Sequence, residues 1–435
     1  MPRPNFRPAP GHPPVSPAEP HLTDTHSRRG EPVLQQPQFS IPADQRFARR
    51  HRTGKYPRPA IFAGRGSTAA GGASADARGS GAGEPGGMDL CATVDAMFAP
   101  ARHAGLVGVE VELIPVTDTP LPRPVAPAWL AAGFDEEFIN AAAPTFEPGG
   151  QLELSPPPRP TLESLIADIE MLWRRATAIA AARGIRLESV GVNPYHSCAD
   201  VPLRLPTPRY LAMQQAFDEV SPDGRRMMRL TASLQIAVDL LPGQAGREQW
   251  LVANLAGPPL AAAFANSAVE AGLPSGPVGK RTWIWQNVDL RRTGYDGRHL
   301  DLTDPVGAYA AFAAAAPRLP IQEAERPAYH LSTLFPPVRP RGGYLEVRYL
   351  DAQPPWRIPE AVRTVASLLY DDQARHDALD LLLPRAQDQH RAWTEAAAGH
   401  SPEAEALLAI ARSARPAVDA TLPAVAAALA SGGVA

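Results

Sequence analysis

The stretch Gly108-Val109-Glu110-Val111-Glu112-Leu113 alternates apolar and acidic residues. In a strand, residues two apart project from the same face, so Glu110 and Glu112 share one face while Val109, Val111 and Leu113 share the other. The apolar face belongs to a core, and the acidic face belongs to solvent or to a site. One such pair alone reads as a solvated strand face, but the pattern recurs. Gln151, Glu153 and Ser155 oppose Leu152 and Leu154, and Glu147 stands just before the turn Pro148-Gly149-Gly150. Thr231, Ser233, Gln235 and Asp239 alternate with Leu230, Ala232, Leu234, Ile236 and Val238, and Glu346 and Arg348 alternate with Leu345, Val347 and Tyr349. Four strands with carboxylates or small polar groups on one face, and few of the long cationic side chains of an exposed sheet, imply a shared polar cavity.

Between these strands the spacing changes. Leu162, Leu165, Ile166, Ile169, Leu172, Ala176 and Ile179 follow helical periodicity, with Thr161 as N-cap and Gly184 as stop. Leu106 to Ile114 reads as a strand, Phe146 to Ser155 as a turn into a second, and Ile185 to Val192 as a third. Thr207-Pro208 opens a helix towards Val220, with proline at its first position. Met227 to Leu240 reads as a strand, Trp250 to Glu270 as part of a long Ala-rich helical stretch, Pro274 to Arg298 as loop, and Tyr344 to Leu350 as a late strand before a largely helical remainder. Irregular alternation with half-polar strands indicates an antiparallel sheet with helices on one side, an α+β class, rather than a parallel doubly wound sheet.

The chain has 435 residues, with 50 prolines and 34 glycines. Many of these crowd the first stretch, so residues 1–87 are expected to form a disordered Pro/Gly/Arg-rich extension, leaving 88–435 as a single domain. Met88, followed by Leu90, Val94, Met97 and Phe98 at helical spacing, is a candidate start of translation. A net charge of -3 supplies no basic field for nucleic acid or an anionic membrane. No apolar run approaches the ~20 residues of a membrane span. Cys91 and Cys198 are too few for a disulfide framework, which fits a reducing cytoplasm.

Carboxylates brought within about 4 Å repel by ~4 kcal/mol per pair at an effective dielectric near 20, so a cluster of them calls for cations. Glutamate oxygens without His or Cys partners suit Mg²⁺ or Mn²⁺, and magnesium held by protein carboxylates completes its shell with substrate phosphates. No Walker-type loop and no GxGxxG after a strand is present, so a nucleotide would be held chiefly through metal ions.

At this point the chain resembles the glutamate-cysteine ligases, particularly the actinobacterial type associated with ergothioneine synthesis. The resemblance rests on Gly108 to Glu112, Phe146 to Ser155, Thr231 to Gln235, Phe264-Ala-Asn-Ser267, Arg281 to Gly294, and His330 to Pro337 running on to Tyr344 to Gln353, in that order. It implies a curved antiparallel sheet of glutamine-synthetase-like type with helices on its outer face. It further implies that ATP phosphorylates the γ-carboxylate of L-glutamate and that the amino group of L-cysteine attacks the acyl phosphate, giving γ-glutamylcysteine, ADP and phosphate. By family position Glu110, Glu112, Glu147, Glu153 and Glu346 resemble metal ligands, and Arg348 and Arg281 resemble catalytic cations. Gln235, Arg292, Thr231 and Ser233 resemble substrate- or nucleotide-binding residues.

Trp283 and Trp285 fit either substrate contact or packing, and His330 and Tyr344 carry the same ambiguity. Where the family often has asparagine after the glutamine on the polar face, this chain has Ala237. That departure bears on the substrates. A ligase for another amine or acid, and a non-catalytic glutamate- or nucleotide-binding homologue, are the alternatives.

Overall fold

The computed structural model describes residues 89–102 and 105–414. The extension read over 1–87, the start at Met88 and the last part of the helical remainder, 415–435, lie outside the described residues.

The sheet is built from β1 (Val107–Thr117), β2 (Thr145–Phe146), β3 (Leu152–Leu154), β4 (Ile185–Glu188) and β5 (Ser233–Asp239). Past the small separate hairpin β6 (Val269–Glu270) and β7 (Leu273–Pro274) it is completed by β8 (Val338–Pro340) and β9 (Tyr344–Asp351). The seven strands run in the order β2-β3-β1-β5-β9-β8, with β4 pairing the C-terminal half of β1, and every pairing is antiparallel. Long helices accompany this sheet, so the class is α+β.

Val109, Val111, Leu113, Leu234, Ile236, Val238, Leu345 and Val347 are all buried, as the alternation requires. Helices Leu162–Ala181, Gly257–Ala263 and Ile358–Tyr370 pack against these strands. Each such side chain removed from water contributes roughly 1.5–3 kcal/mol. Other helices wall the polar side. Pro208–Asp218, Asp223–Leu230 and Lys280–Val288 pack in sequence against one another and lend residues to the cavity described below.

Helix ends follow the local signals. Thr161 caps Leu162–Ala181, its Oγ1 accepting from Ser164 N at 3.2 Å, and Gly184 takes a left-handed φ of 64° just beyond. Thr207 caps Pro208–Asp218, with Pro208 first in the helix.

Three segments depart from expectation. Met227 to Leu240 is not one strand: Asp223–Leu230 is helical and β5 begins at Ser233. Arg225 to Leu230 are straight-chain helix formers, and Thr231 Oγ1 donates back to Met227 O at 2.7 Å as the chain turns. The Ala-rich stretch is two helices, Gly243–Leu255 and Gly257–Ala263, because Pro258 and Pro259 cannot continue the first helix. A Cβ on Gly257 would stand 2.6 Å from the Trp393 ring, so that junction needs glycine. Finally, Lys280–Val288 and Leu290–Thr293 are helices where loop was expected; Ile284, Trp285 and Val288 turn one buried face inward.

Candidate active site

Strand register assembles the acidic face. Glu112 of β1 stands opposite Glu153 of β3, and Glu110 stands opposite Gln235 of β5. Glu346 of β9 lies between Ala237 of β5 and Arg339 of β8. A bulge between Leu234 and Ile236 shifts the β5–β9 pairing, and beyond it Arg348 Nη1 reaches Gln235 Oε1 at 2.6 Å. The β2–β3 hairpin brings Glu147. Its tip presses on the end of helix Asp223–Leu230, so that a Cβ on Gly149 would meet Arg229 O at 2.2 Å, and Gly150 takes a φ of 95°.

These residues line a cavity of about 250 Å³. At its acidic end, carboxylate oxygens of Glu112, Glu147 and Glu153 lie within 4.8 Å of one another. Glu112 accepts from Ser233 N at 2.7 Å and from Gln235 Nε2 at 2.9 Å. Glu153 accepts from Thr145 Oγ1 at 2.7 Å. Burial, then repulsion from Glu153, pushes Glu110 up to about 7 and raises Glu112 as well. Burial, Glu153 and Glu112 push Glu147 well above the usual carboxylate range. Carboxylates held together under mutual repulsion, in an all-oxygen set with no His or Cys in the lining, fit a hard divalent cation such as Mg²⁺.

The other end is cationic. Arg339 on β8, Arg348 on β9 and Arg341 in the turn between them line it, while Arg209 and Arg281 enter the cavity from helices, Arg281 close enough to Glu112 to favour its charged form. Glu346 belongs to this group by contact: Arg348 Nη1 pairs with its Oε1, Arg341 Nε lies 3.1 Å from Oε2 and Arg339 Nη1 lies 3.7 Å from Oε1. Burial, then the neighbouring Arg339, pushes Arg348 down to about 9, and burial, then Arg341, pushes Arg339 down to about 10. Nε of Arg339, Nε of Arg348, and both Nε and Nη1 of Arg281 are buried without a hydrogen-bond partner. Unpaired guanidinium donors beside a cavity fit oxyanions such as phosphates and carboxylates. Gln235 joins the two ends, donating to Glu112 and accepting from Arg348.

The residues expected from sequence fall into two groups. Glu110, Glu112, Glu147, Glu153, Glu346, Thr231, Ser233, Gln235, Arg281 and Arg348 all line the cavity. Arg292 is not in the lining. It is 2 % exposed, and its guanidinium donates to Thr333 Oγ1 and Pro317 O, bracing the loops that carry Ser332 and Phe335. Among the ambiguous residues, Trp285 lines the cavity and Trp283 does not; Lys280 Nζ sits 3.9 Å from the Trp283 ring. His330 is buried with Nε2 at 2.8 Å from Ala313 O, a packing role.

Sequence reasoning missed Arg339 and Arg341, although Val338-Arg339-Pro340-Arg341 before Gly342-Gly343 has the alternation and turn of a hairpin partner for Glu346. It also missed Arg209, Tyr210, Met213, Met227 and Met228, which sit on helices and gave no local sign of facing a site.

Fold and site together define a class, an α+β protein whose antiparallel sheet carries a cavity acidic at one end and arginine-lined at the other. The sequence profile of glutamate-cysteine ligase family 2 matches residues 106–433, and the chain belongs to that family. It is 32% identical over 283 residues to a glutamate–cysteine ligase EgtA of Mycolicibacterium smegmatis, covering 58% of this chain and 65% of that protein. It is 32% identical over 267 residues to a chloroplastic glutamate–cysteine ligase of Arabidopsis thaliana, covering 54% and 51%. The match thus spans less than two thirds of these relatives' length. Among solved structures, a glutamate–cysteine ligase of Francisella tularensis in complex with AMP is 12% identical, with a TM-score of 0.38, covering 77% of this chain and 97% of that one.

Proposed function

We propose that this protein ligates the γ-carboxylate of L-glutamate to the amino group of L-cysteine at the expense of ATP, giving γ-glutamylcysteine, ADP and phosphate in a route to a low-molecular-weight thiol, ergothioneine. The observation that carries the reading is the division of the cavity. Three carboxylates gather at one end, and Arg281, Arg339 and Arg348, each with a buried guanidinium nitrogen that has no partner, line the same cavity. Family membership and likeness to proteins named glutamate–cysteine ligase EgtA support the same reaction.

In this reading Glu112, Glu147 and Glu153 hold Mg²⁺, with Mn²⁺ an alternative, and Glu110 adds a carboxylate beside them. A bound divalent cation supplies charge neutralisation for the transferred phosphoryl group. Arg348 and Arg281 bind oxyanions of the nucleotide and of glutamate. Gln235 fixes the spacing between Glu112 and Arg348 through its two hydrogen bonds. Glu346, paired with Arg339, Arg341 and Arg348, orients those arginines towards the oxyanions. Catalysis here is chiefly positioning, the substrate carboxylate being held in line with the phosphoryl group.

The domain assignment, 88–435, and a cytoplasmic location belong to the same proposal. Every lining residue falls between 110 and 348, both cysteines are free, and no described helix is long and apolar enough to cross a membrane.

The test is incubation of the purified protein with ATP, Mg²⁺, L-glutamate and L-cysteine, reading ADP and product mass. Cysteine-dependent ADP release with a γ-glutamylcysteine mass is expected, also from a chain begun at Met88. ADP release with another amine alone would transfer the assignment to a related ligase. No turnover with any amine would overturn it.

A further inference from the structure

Two motifs that the reaction does not use, Phe264-Ala-Asn-Ser267 and the Asp351-Ala-Gln353 end of β9, converge behind the cavity. Asp351 is 2 % exposed and stands opposite Ser233, on the polar face of the sheet. Its Oδ2 accepts from Ser267 Oγ at 2.7 Å and from Asn266 N at 2.7 Å. Asn266 Nδ2 donates to Ser189 O at 2.9 Å and to Ala352 O at 2.8 Å, and Gln353 Nε2 donates to Phe264 O at 2.6 Å. Gly191 closes the remaining side, where a Cβ would stand 2.5 Å from Asp351 Cγ. Only glycine at 191 leaves room for the carboxylate in this position.

What this network holds is the first turn of helix Lys280–Val288. Arg281 N donates to Ser267 Oγ at 3.1 Å, and Arg281 Nη2 donates to Arg348 O at 2.9 Å. The residue is thus tied at its backbone to the Asp351 network and at its tip to β9. Its Nε and Nη1 are left buried and without partners beside the cavity. Buried donors in that state gain most from a charged acceptor, and their value depends on being aimed before the acceptor arrives.

We infer that Asp351, acting through Ser267, is a positioning residue: it fixes the start of helix Lys280–Val288 so that Arg281 presents Nε and Nη1 to a carboxylate or phosphate oxyanion in the cavity. The chemical identity of that oxyanion rests on the proposed ligase reaction; the positioning does not.

The experiment is equilibrium binding of inorganic pyrophosphate and of L-glutamate, each alone, to the wild type, Arg281→Lys, Ser267→Ala and Asp351→Asn, with melting temperature recorded for each. Ser267→Ala removes a single hydroxyl and leaves the Asp351 to Asn266 bond intact. The anion that Arg281 receives is expected to bind about tenfold more weakly to all three variants, the loss of one charge-assisted hydrogen bond, while the other anion changes less than about twofold. A weakening for pyrophosphate assigns Arg281 to a phosphate, and for L-glutamate to a carboxylate. Lowered melting temperatures with unchanged affinities, or equal weakening for both anions, would make the network a structural brace and overturn the inference. A wild type that binds neither anion would overturn it too. The ligase reading is decided separately, by product mass.

Discussion

Glu147 has its carboxylate beside Glu112 and Glu153, and burial and repulsion both disfavour its ionised form. Glu147→Gln replaces an ionisable group that folding must bury against like charges with a neutral amide of similar shape. It should raise the melting temperature of the metal-free protein by about 2 °C and abolish the further rise that Mg²⁺ gives the wild type. Thermal melts in chelator and in Mg²⁺ check both halves. A Mg²⁺ response in the variant equal to that of the wild type would remove Glu147 from the cation site.

The same carboxylates give a pH dependence of known sign. Glu110 is pushed from 4.5 up to about 7 in the folded state. Between those values the folded chain keeps a proton that the unfolded chain has released, so stability falls as pH rises through the window. His299 acts oppositely. Burial takes it from 6.5 down to about 4, so the unfolded chain takes up protons first and stability falls as pH drops through that range. The difference between melts with and without Mg²⁺ cancels the histidine. That difference should widen from about pH 5 to about pH 8 as the carboxylates ionise and bind the cation. A constant difference would count against an acidic cation site.

At the scale of elements, the β2–β3 hairpin matters most, because a turn of three residues sets where Glu147 stands relative to Glu153. Gly149→Ala forces a methyl against the Arg229 carbonyl. It should destabilise by about 1–3 kcal/mol and depress turnover more than a loss of stability explains, read as kcat at a temperature where the variant is fully folded. Wild-type kcat in a destabilised variant would separate the hairpin from the site. The elements also mark where sequence patterning worked. Period-two alternation made β1, β3, β5 and β9 legible, and capping made Leu162–Ala181 and Pro208–Asp218 legible. Asp223–Leu230 was hidden because Met227, Met228 and Leu230 satisfy a short strand as well as a helical turn, and only its packing against the neighbouring helices separates the two.

For the whole molecule, the helical C-terminal part is bound into the sheet core. Trp393, buried on helix Gln389–Ala397, packs its ring against Tyr349 of β9 at 5.9 Å, against Tyr295 at 4.5 Å, and over Gly257. Trp393→Ala should destabilise by about 3–5 kcal/mol, while substrate KM values at low temperature stay near wild type. Calorimetry and kinetics together check this. A melt that splits into two transitions would mean that the C-terminal helices fold independently.

The sequence by itself determined the acidic face and the apolar face behind it, because strand periodicity is a local property and each carboxylate is placed by its own neighbours. It also determined that Arg348 shares the face of Glu346. Only the tertiary structure decided the other half of the cavity. Arg209 reaches it from a helix whose approach depends on long-range packing, as does Arg281, which the family resemblance had named without placing it. Arg292 is drawn away from it because Thr333 and Pro317 take up its donors first. Glu346 likewise sits among arginines rather than with the three clustered carboxylates, since β8 brings Arg339 directly opposite it. The alternation of glutamate and valine fixed which side of the sheet holds charge, and pairing between distant strands fixed which charges meet.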